Sequence, residues 1–321
     1  MTKFSISVGP RKSLKSRCVT PKTRCKYEAA LREFNRFLLH CNIILFSLSL
    51  VQVDLVLEEY VETLYSQGAP RSWASVFLSS FGDAYPLLAA QGARSSSRRA
   101  LQGWVREARP RRAPPLPHTV VVVWIARCVL QRNLRLAAFF AVLFHCYLRP
   151  SEALRIRVCD VDLGTHGVGT IRLPLTKSGQ RLMAEEFVTI NDGLVLDLVR
   201  FAVSGLHSNE LLVPISYNDL RRILREFISH DGLAAFGFVP YSFRRGGASF
   251  EFGRNGVFDR VLQKGRWNSL KAARLYINEA RAASVSLQLP PSINLQYLSS
   301  VEMFTNSGVD MVGFGESQLL C

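Results

Sequence analysis

The stretch Pro240–Tyr276 reads PYSFRRGGASFEFGRNGVFDRVLQKGRWNSLKAARLY, and the rest of the chain is read outward from it. Two adjacent arginines, Arg244 and Arg245, stand in a segment that opens a helix expected over Ser242–Phe252. A glycine-closed turn leads to Trp267, and Tyr276 follows at helical spacing on a helix expected over Asn268–Ala282. Upstream, YLRPSEALRIRV places Arg149 at the end of an apolar run, with Glu152 three residues on. Between the two regions, GTIRLPLTKSGQR reads as a β-hairpin with strands at Gly169–Leu175 and Glu186–Ile190 and Lys177 on the turn. Pro174 in its first strand points to an edge position.

Composition sets the frame. The 321 residues leave room for about two domains, and 48% hydrophobic residues with a mean hydropathy of +0.11 supply a sizeable core. Forty Lys and Arg against 25 Asp and Glu give a net charge of +15, which favours a polyanionic partner. Seven scattered cysteines with no CxxC pair fit small buried residues of a reducing compartment rather than a zinc site. The apolar runs Ile43–Val51 and Leu136–Leu148 fall far short of the roughly 20 residues that span a bilayer. MTKFSISVGPRK at the N-terminus has no signal-peptide core. The expectation is an intracellular, soluble protein.

Along the chain, residues 1–26 form a basic arm without an acid, read as disordered. From Tyr27 the pattern turns helical: Tyr27, Leu31, Phe34 and Leu38 share one face. Asp54 is the expected N-cap of a helix over Leu55–Ser66, and further helices are expected at Trp73–Leu88, kinked at Pro86, and Ser97–Glu107. This gives an all-helical domain over 27–107. REARPRRAPPLP, Arg106–Pro117, holds four prolines and four arginines and reads as an extended linker centred on 108–117. Arg98, Arg99, Arg106, Arg109, Arg111 and Arg112 make this stretch cationic enough to lie along a phosphate backbone. A second domain over 118–285 carries helices near Thr119–Leu130, Leu134–Tyr147, Ser151–Arg157, Leu194–Val203 and Asn218–Ser229, besides those above. Residues 286–321 are weakly patterned and read as a C-terminal tail.

Taken singly, each of these residues has an ordinary structural reading: a capping arginine, a solvated lysine, a half-buried tyrosine. Taken in order, they resemble the tyrosine recombinase (phage integrase) family, over roughly residues 20–285. The family pattern has an arginine in a Y-L-R-x-S-E context, a hairpin lysine, an H-x-x-R pair, a Gly-His/Trp and a nucleophilic tyrosine nine residues beyond. YLRPSEALRI supplies Arg149 and Glu152, TKSG supplies Lys177, and YSFRR supplies Arg244 with Tyr241 where histidine is usual. GRWNSLKAARLY supplies Trp267 and Tyr276.

The resemblance implies a mainly α fold with a small antiparallel β-sheet, in two domains: a helical core-binding domain and an α+β catalytic domain, closing on duplex DNA. It implies cleavage of one strand through a 3′-phosphotyrosyl bond at Tyr276, with no metal or cofactor, followed by strand exchange in a homotetramer on two sites. The source would be a mobile element, acting in a nucleus or otherwise in the cytoplasm. Ser284–Cys321 is then the candidate segment for docking on a neighbouring copy.

The chemistry suits the residue types. Two guanidiniums, Arg149 and Arg244, can each fork onto the non-bridging oxygens of a pentacoordinate phosphorus. Lys177 can protonate the departing 5′-oxygen, Trp267 can donate an N–H, and Glu152 can hold a basic partner. Arg245 faces about 100° away from Arg244 on a helix and is given a DNA-phosphate or structural role. No histidine follows His230, so Tyr241 brings a hydrogen-bonding phenol rather than a base. Two alternatives stand beside this reading: a catalytically impaired DNA-binding remnant of a mobile element, and a type IB topoisomerase-like nicking-closing enzyme that acts as a monomer.

Overall fold

In the computed structural model of the protein, residues 18–107, 112–164, 167–174, 176 and 184–306 are described. They fold as two compact units divided at Arg111/Arg112. The architecture is mainly α with one small antiparallel sheet. No helix among the described residues is long and apolar enough to cross a membrane.

The N-terminal unit is a helical bundle: α1 (Pro21–His40), α2 (Leu50–Ser66), α3 (Arg71–Ala84), α4 (Pro86–Ala90) and α5 (Ser95–Glu107). Ala30, Phe34 and Leu38 fall on one stripe of α1 and are buried. Phe34 packs on Phe77 and Tyr60 at ring distances of 4.8 and 5.1 Å. Pro86 does not kink a continuous helix. Tyr85 leaves helical geometry and Pro86 opens α4, where a missing N–H matters least.

Asp54 corrects the sequence reading. The helix begins at Leu50, capped by a reciprocal Ser49–Gln52 box, so Asp54 lies inside it. Its buried carboxylate instead accepts from the backbone N–H groups of Ser96 (2.7 Å) and Ser97 (3.2 Å) and the Ser97 hydroxyl (3.1 Å). It thereby caps α5 from 42 residues away, where free N–H groups and the helix dipole both favour an anion.

The C-terminal unit is built on α6 (His118–Leu130) and α7 (Leu134–His145), which are apolar nearly all round and lie at the centre of the core. A short helix α8 (Pro150–Ala153) precedes the sheet β1 (Val161–Leu163), β2 (Gly169–Leu173), β3 (Glu186–Ile190), ordered β1-β2-β3. β2 is the central strand, so the edge position inferred from Pro174 does not hold. The proline stands just past the end of β2, where no ladder bond is required. Helices α9 (Gly193–Val203), α10 (Tyr217–His230), α11 (Tyr241–Asn255), α12 (Phe258–Gly265), α13 (Leu270–Ala273), α14 (Glu279–Leu287) and α15 (Pro291–Asn306) complete the unit.

Two glycines set the position of α11. A Cβ on Gly246 would come within 2.1 Å of the Leu116 carbonyl oxygen, and one on Gly247 within 2.0 Å of the Phe144 carbonyl oxygen. The Gly-Gly pair therefore lets α11 lie backbone to backbone against both Leu116, ahead of α6, and the end of α7, despite a helix-propensity cost of about 1 kcal/mol per glycine.

Two further expectations are corrected. The helix expected over Asn268–Ala282 is broken into α13 and α14, because Ser269 and Asn278 each cap a new helix start. Tyr276 stands in the break. The expected tail from 286 holds α15, which packs against α6 of its own unit and buries Ile293 and Phe304 in the core. Gln296 on this helix accepts from Arg127 (3.0 Å), which also pairs with Asp231 (2.6 Å). Residues 307–321 lie outside the described set.

Candidate functional site

The site is assembled where the end of α7, the start of α8, α11 and the turn after α12 meet. Tyr147 leaves α7 in the left-handed region (φ 47°), and Pro150 holds Arg149 extended at the mouth of α8. Glu152 then turns back. Its carboxylate accepts from the Arg149 backbone N–H (2.9 Å) and from the Arg149 guanidinium. The same carboxylate accepts from Arg266 Nη2 at 2.7 Å and lies 4.0 Å from Arg244 Nη1. Three guanidiniums thus share one buried carboxylate.

Arg244 is fully buried on α11. It donates to the backbone carbonyls of Tyr147 and, at 2.7 Å, Gly265. Its guanidinium carbon lies 4.8 Å from the Trp267 ring centroid and 5.2 Å from that of Tyr276, a cation–π arrangement on both. The Trp267 and Tyr276 rings stack at 5.0 Å and 27°. Gly265 makes the indole position possible, since a Cβ there would fall 2.1 Å from Trp267 Cζ3. Ser249 fastens the break carrying Tyr276 to α11: its hydroxyl donates to the Tyr276 carbonyl (3.4 Å) and accepts from the Asn278 N–H (3.0 Å).

Four buried nitrogens here, Arg244 Nε, Trp267 Nε1 and Arg266 Nε and Nη1, have no hydrogen-bond partner among the described residues, Arg266 Nε meeting Glu186 only as an ion pair. Electrostatics point the same way. Burial, then the charges of Arg149 and Arg266, push the Arg244 guanidinium below its ordinary value. Burial would raise the Glu152 carboxyl, but Arg266 and Arg149 outweigh it and hold the group below the usual carboxylate range. Three cations meet two carboxylates here, Glu152 and, through Arg266, Glu186, and with its unpartnered donors the centre can receive a further anion. Among the described residues no three His, Cys, Asp or Glu side chains come together as a metal site.

Of the residues singled out from sequence, Arg149, Glu152, Arg244, Trp267 and Tyr276 are brought together. Tyr241, at the first turn of α11, is part-exposed; burial and the nearby Tyr276 raise its pKa, while Arg149 and Arg244 act in the opposite sense. Arg245 is buried one position on and joins none of the ion pairs of the guanidinium centre; burial, then the charges of Arg112 and Arg281, lower its pKa. Arg98, Arg99 and Arg106 lie on the exposed side of α5, away from buried Ser97 and Trp104, and Arg112 is exposed. Lys177, Arg109 and Arg111 lie outside the described residues.

Arg266 was missed. It adopts the left-handed conformation (φ 53°) as the C-cap of α12, a position that favours glycine. From there it reaches both Glu152 and Glu186 (3.2 Å), tying β3 to the guanidinium centre. Its place immediately before Trp267 in KGRW was the available signal, but the ion pairs are long-range.

No family model and no curated protein matches the sequence. Solved structures do match. The Tn1549 transposon integrase in complex with circular intermediate DNA is similar with a TM-score of 0.58 at 11% identity, over 84% of this chain and 94% of that one. A lambda integrase dimer bound to a COC′ core site gives 0.55 at 14%, over 83% and 74%. The XerH site-specific recombinase bound to difH substrate gives 0.52 at 13%, over 78% and 75%. At these identities the likeness is one of fold, and the fold is that of the tyrosine recombinases.

Proposed function

We propose that the protein binds duplex DNA and cleaves one strand by attack of Tyr276 on a backbone phosphate, exchanging strands with a second site as tyrosine recombinases do. The observation that carries this reading is the meeting of Arg149 and Arg244 over one carboxylate, with Tyr276 stacked beneath the second guanidinium. DNA as the partner is supported by the +15 charge and by structural neighbours solved with DNA.

In this reading the scissile phosphate enters the guanidinium centre. Arg149 and Arg244 take its non-bridging oxygens, and Trp267 Nε1 adds a third donor. The Tyr276 phenolic oxygen attacks phosphorus, a P–O bond to Tyr276 forms and the P–O5′ bond breaks. The phenolic proton passes to water, and Lys177 gives a proton to the departing 5′-oxygen. A 5′-hydroxyl from the second site then reverses the step, so the bond energy is kept in the phosphotyrosine and no ATP is needed. Tyr241, held as a phenol, donates to phosphate rather than acting as a base. Preorganised donors of this type contribute on the order of 10²-fold or more each. Exchange between two sites calls for several copies, a tetramer in the full assembly, in the nucleus of a eukaryote or otherwise the cytoplasm.

The test is a suicide substrate: nicked duplexes made from DNA flanking the gene, probed for a denaturation-resistant adduct mapped to a tyrosine. An adduct at Tyr276, absent in Tyr276→Phe, is expected. Tight binding with no adduct on any such duplex would favour the DNA-binding remnant, for which the absence of histidine after His230 is the supporting observation.

A further inference from the structure

Arg245 poses a separate problem. It is 8% exposed, its Nε is buried without a hydrogen-bond partner, and no carboxylate pairs with it among the described residues. α11, which carries Arg245, packs on α14, which carries Arg281, and the segment that follows Arg112 runs past Gly246 at Leu116. Burial first, then the charges of Arg112 and Arg281, push the Arg245 guanidinium below its ordinary value. Those two residues are themselves joined, Arg281 Nη1 donating to the Arg112 carbonyl at 3.3 Å. A buried guanidinium without a counter-charge is among the most destabilising arrangements a core can hold, unless an anion completes it.

We propose that Arg245, Arg281 and Arg112 form a second anion site, distinct from the guanidinium centre, that grips a backbone phosphate next to the one attacked by Tyr276. The proposal rests on the DNA-cleaving reading given above. Arg244 and Arg245 are consecutive on α11 and so point about 100° apart. Tyr276 is tied to both faces: Arg244 lies over its ring, and Ser249, one turn beyond Arg245 on α11, donates to its carbonyl. Two cationic sites flanking one nucleophile fit two phosphates of one strand. The second site fixes the register of the strand, while the first carries the reaction. Arg281 is the new member, reached from α14 because the helix is broken at Asn278.

The experiment uses the full chain carrying Tyr276→Phe, so that binding is read without cleavage. Its affinity for a duplex of gene-flanking DNA is measured against salt concentration, with Arg245→Gln, Arg245→Lys and Arg281→Gln added in turn. Arg245→Gln should lower the slope of log affinity against log salt by about 0.9, the value for one phosphate contact, and Arg245→Lys should restore it. Neutral methylphosphonate placed singly along the strand should weaken the parent at one position beside the scissile phosphate and leave Arg245→Gln indifferent there. Because the variant removes an uncompensated charge, its melting temperature should hold or rise. An unchanged salt slope, or a fall in melting temperature with methylphosphonate sensitivity retained, would overturn the second site while leaving the cleavage reading intact. Failure of the parent itself to bind any duplex would overturn both.

Discussion

Two buried polar clusters, one in each unit, are built in opposite ways. In the N-terminal unit Asp54 accepts three hydrogen bonds, and the backbone it caps needs nothing further. In the C-terminal unit, Arg244 Nε and Trp267 Nε1 are buried and idle, and three guanidiniums share Glu152. Leaving a buried polar group unpaired costs about 1–3 kcal/mol, so the second arrangement is not one that stability alone would produce. The contrast is one of completeness of hydrogen bonding rather than of burial: the Asp54 carboxylate is satisfied within its unit, whereas Arg244 Nε and Trp267 Nε1 still have a hydrogen bond to give.

The sharpest way to break the contrast is at the guanidinium centre. Arg149→Ala and Arg244→Ala should each slow single-turnover cleavage of a nicked duplex by about 10²-fold or more. A rate near that of the parent would remove that arginine from the site. Arg266→Gly should have a smaller effect on cleavage, about tenfold, or ~1.4 kcal/mol. It suits the left-handed backbone but gives up both ion pairs, so cleavage should fall without a matching loss of stability. If cleavage and melting temperature fall together, Arg266 is only a structural link.

At Asp54 the expectation is reversed. Asp54→Ala should destabilise the protein by about 1–2 kcal/mol in denaturant melts while leaving cleavage at saturating DNA unchanged. A variant as stable as the parent would deprive the carboxylate of its capping role.

The smallest effect is expected at Tyr241. Its pKa is displaced upward, so it remains a neutral donor through neutral pH and loses its proton only above about 10. The parent's pH–rate profile should therefore show no inflection from this group below that value. Tyr241→His should raise the neutral-pH rate several-fold and introduce an inflection near ~6.5, the ordinary histidine value. An unaltered profile would place position 241 outside the chemistry.

Much of the site was legible because its residues sit in short, ordered motifs. YLRPSE contains both Arg149 and the carboxylate that holds it, three residues apart, so local geometry nearly dictates the pair. The role of the Gly-Gly after Arg245, close approach to the Leu116 and Phe144 carbonyls, was not legible, because it depends on partners about 100 residues away or more. Asp54 and Arg266 were misread or missed for the same reason: a plausible local role concealed a distant partner. The core-facing side of α15, Ile293, Tyr297, Val301 and Phe304, does repeat at helical spacing, but exposed Leu295 and Leu298 on the other side blur the contrast between the faces. Tyr276 was placed on a continuous helix because helical spacing survives across a short break, whereas the caps at Ser269 and Asn278 show themselves only as hydrogen bonds.

The most direct test of the idle-donor account replaces the charged scissile phosphate with a neutral methylphosphonate. Cleavage is then compared in the parent, Arg149→Ala and Arg244→Ala. If these guanidiniums meet phosphate charge, the gap of about 10²-fold expected on ordinary DNA should shrink to within about tenfold on the neutral substrate. A gap that persists undiminished would contradict the account, and would mean that the two arginines shape the fold rather than receive the anion.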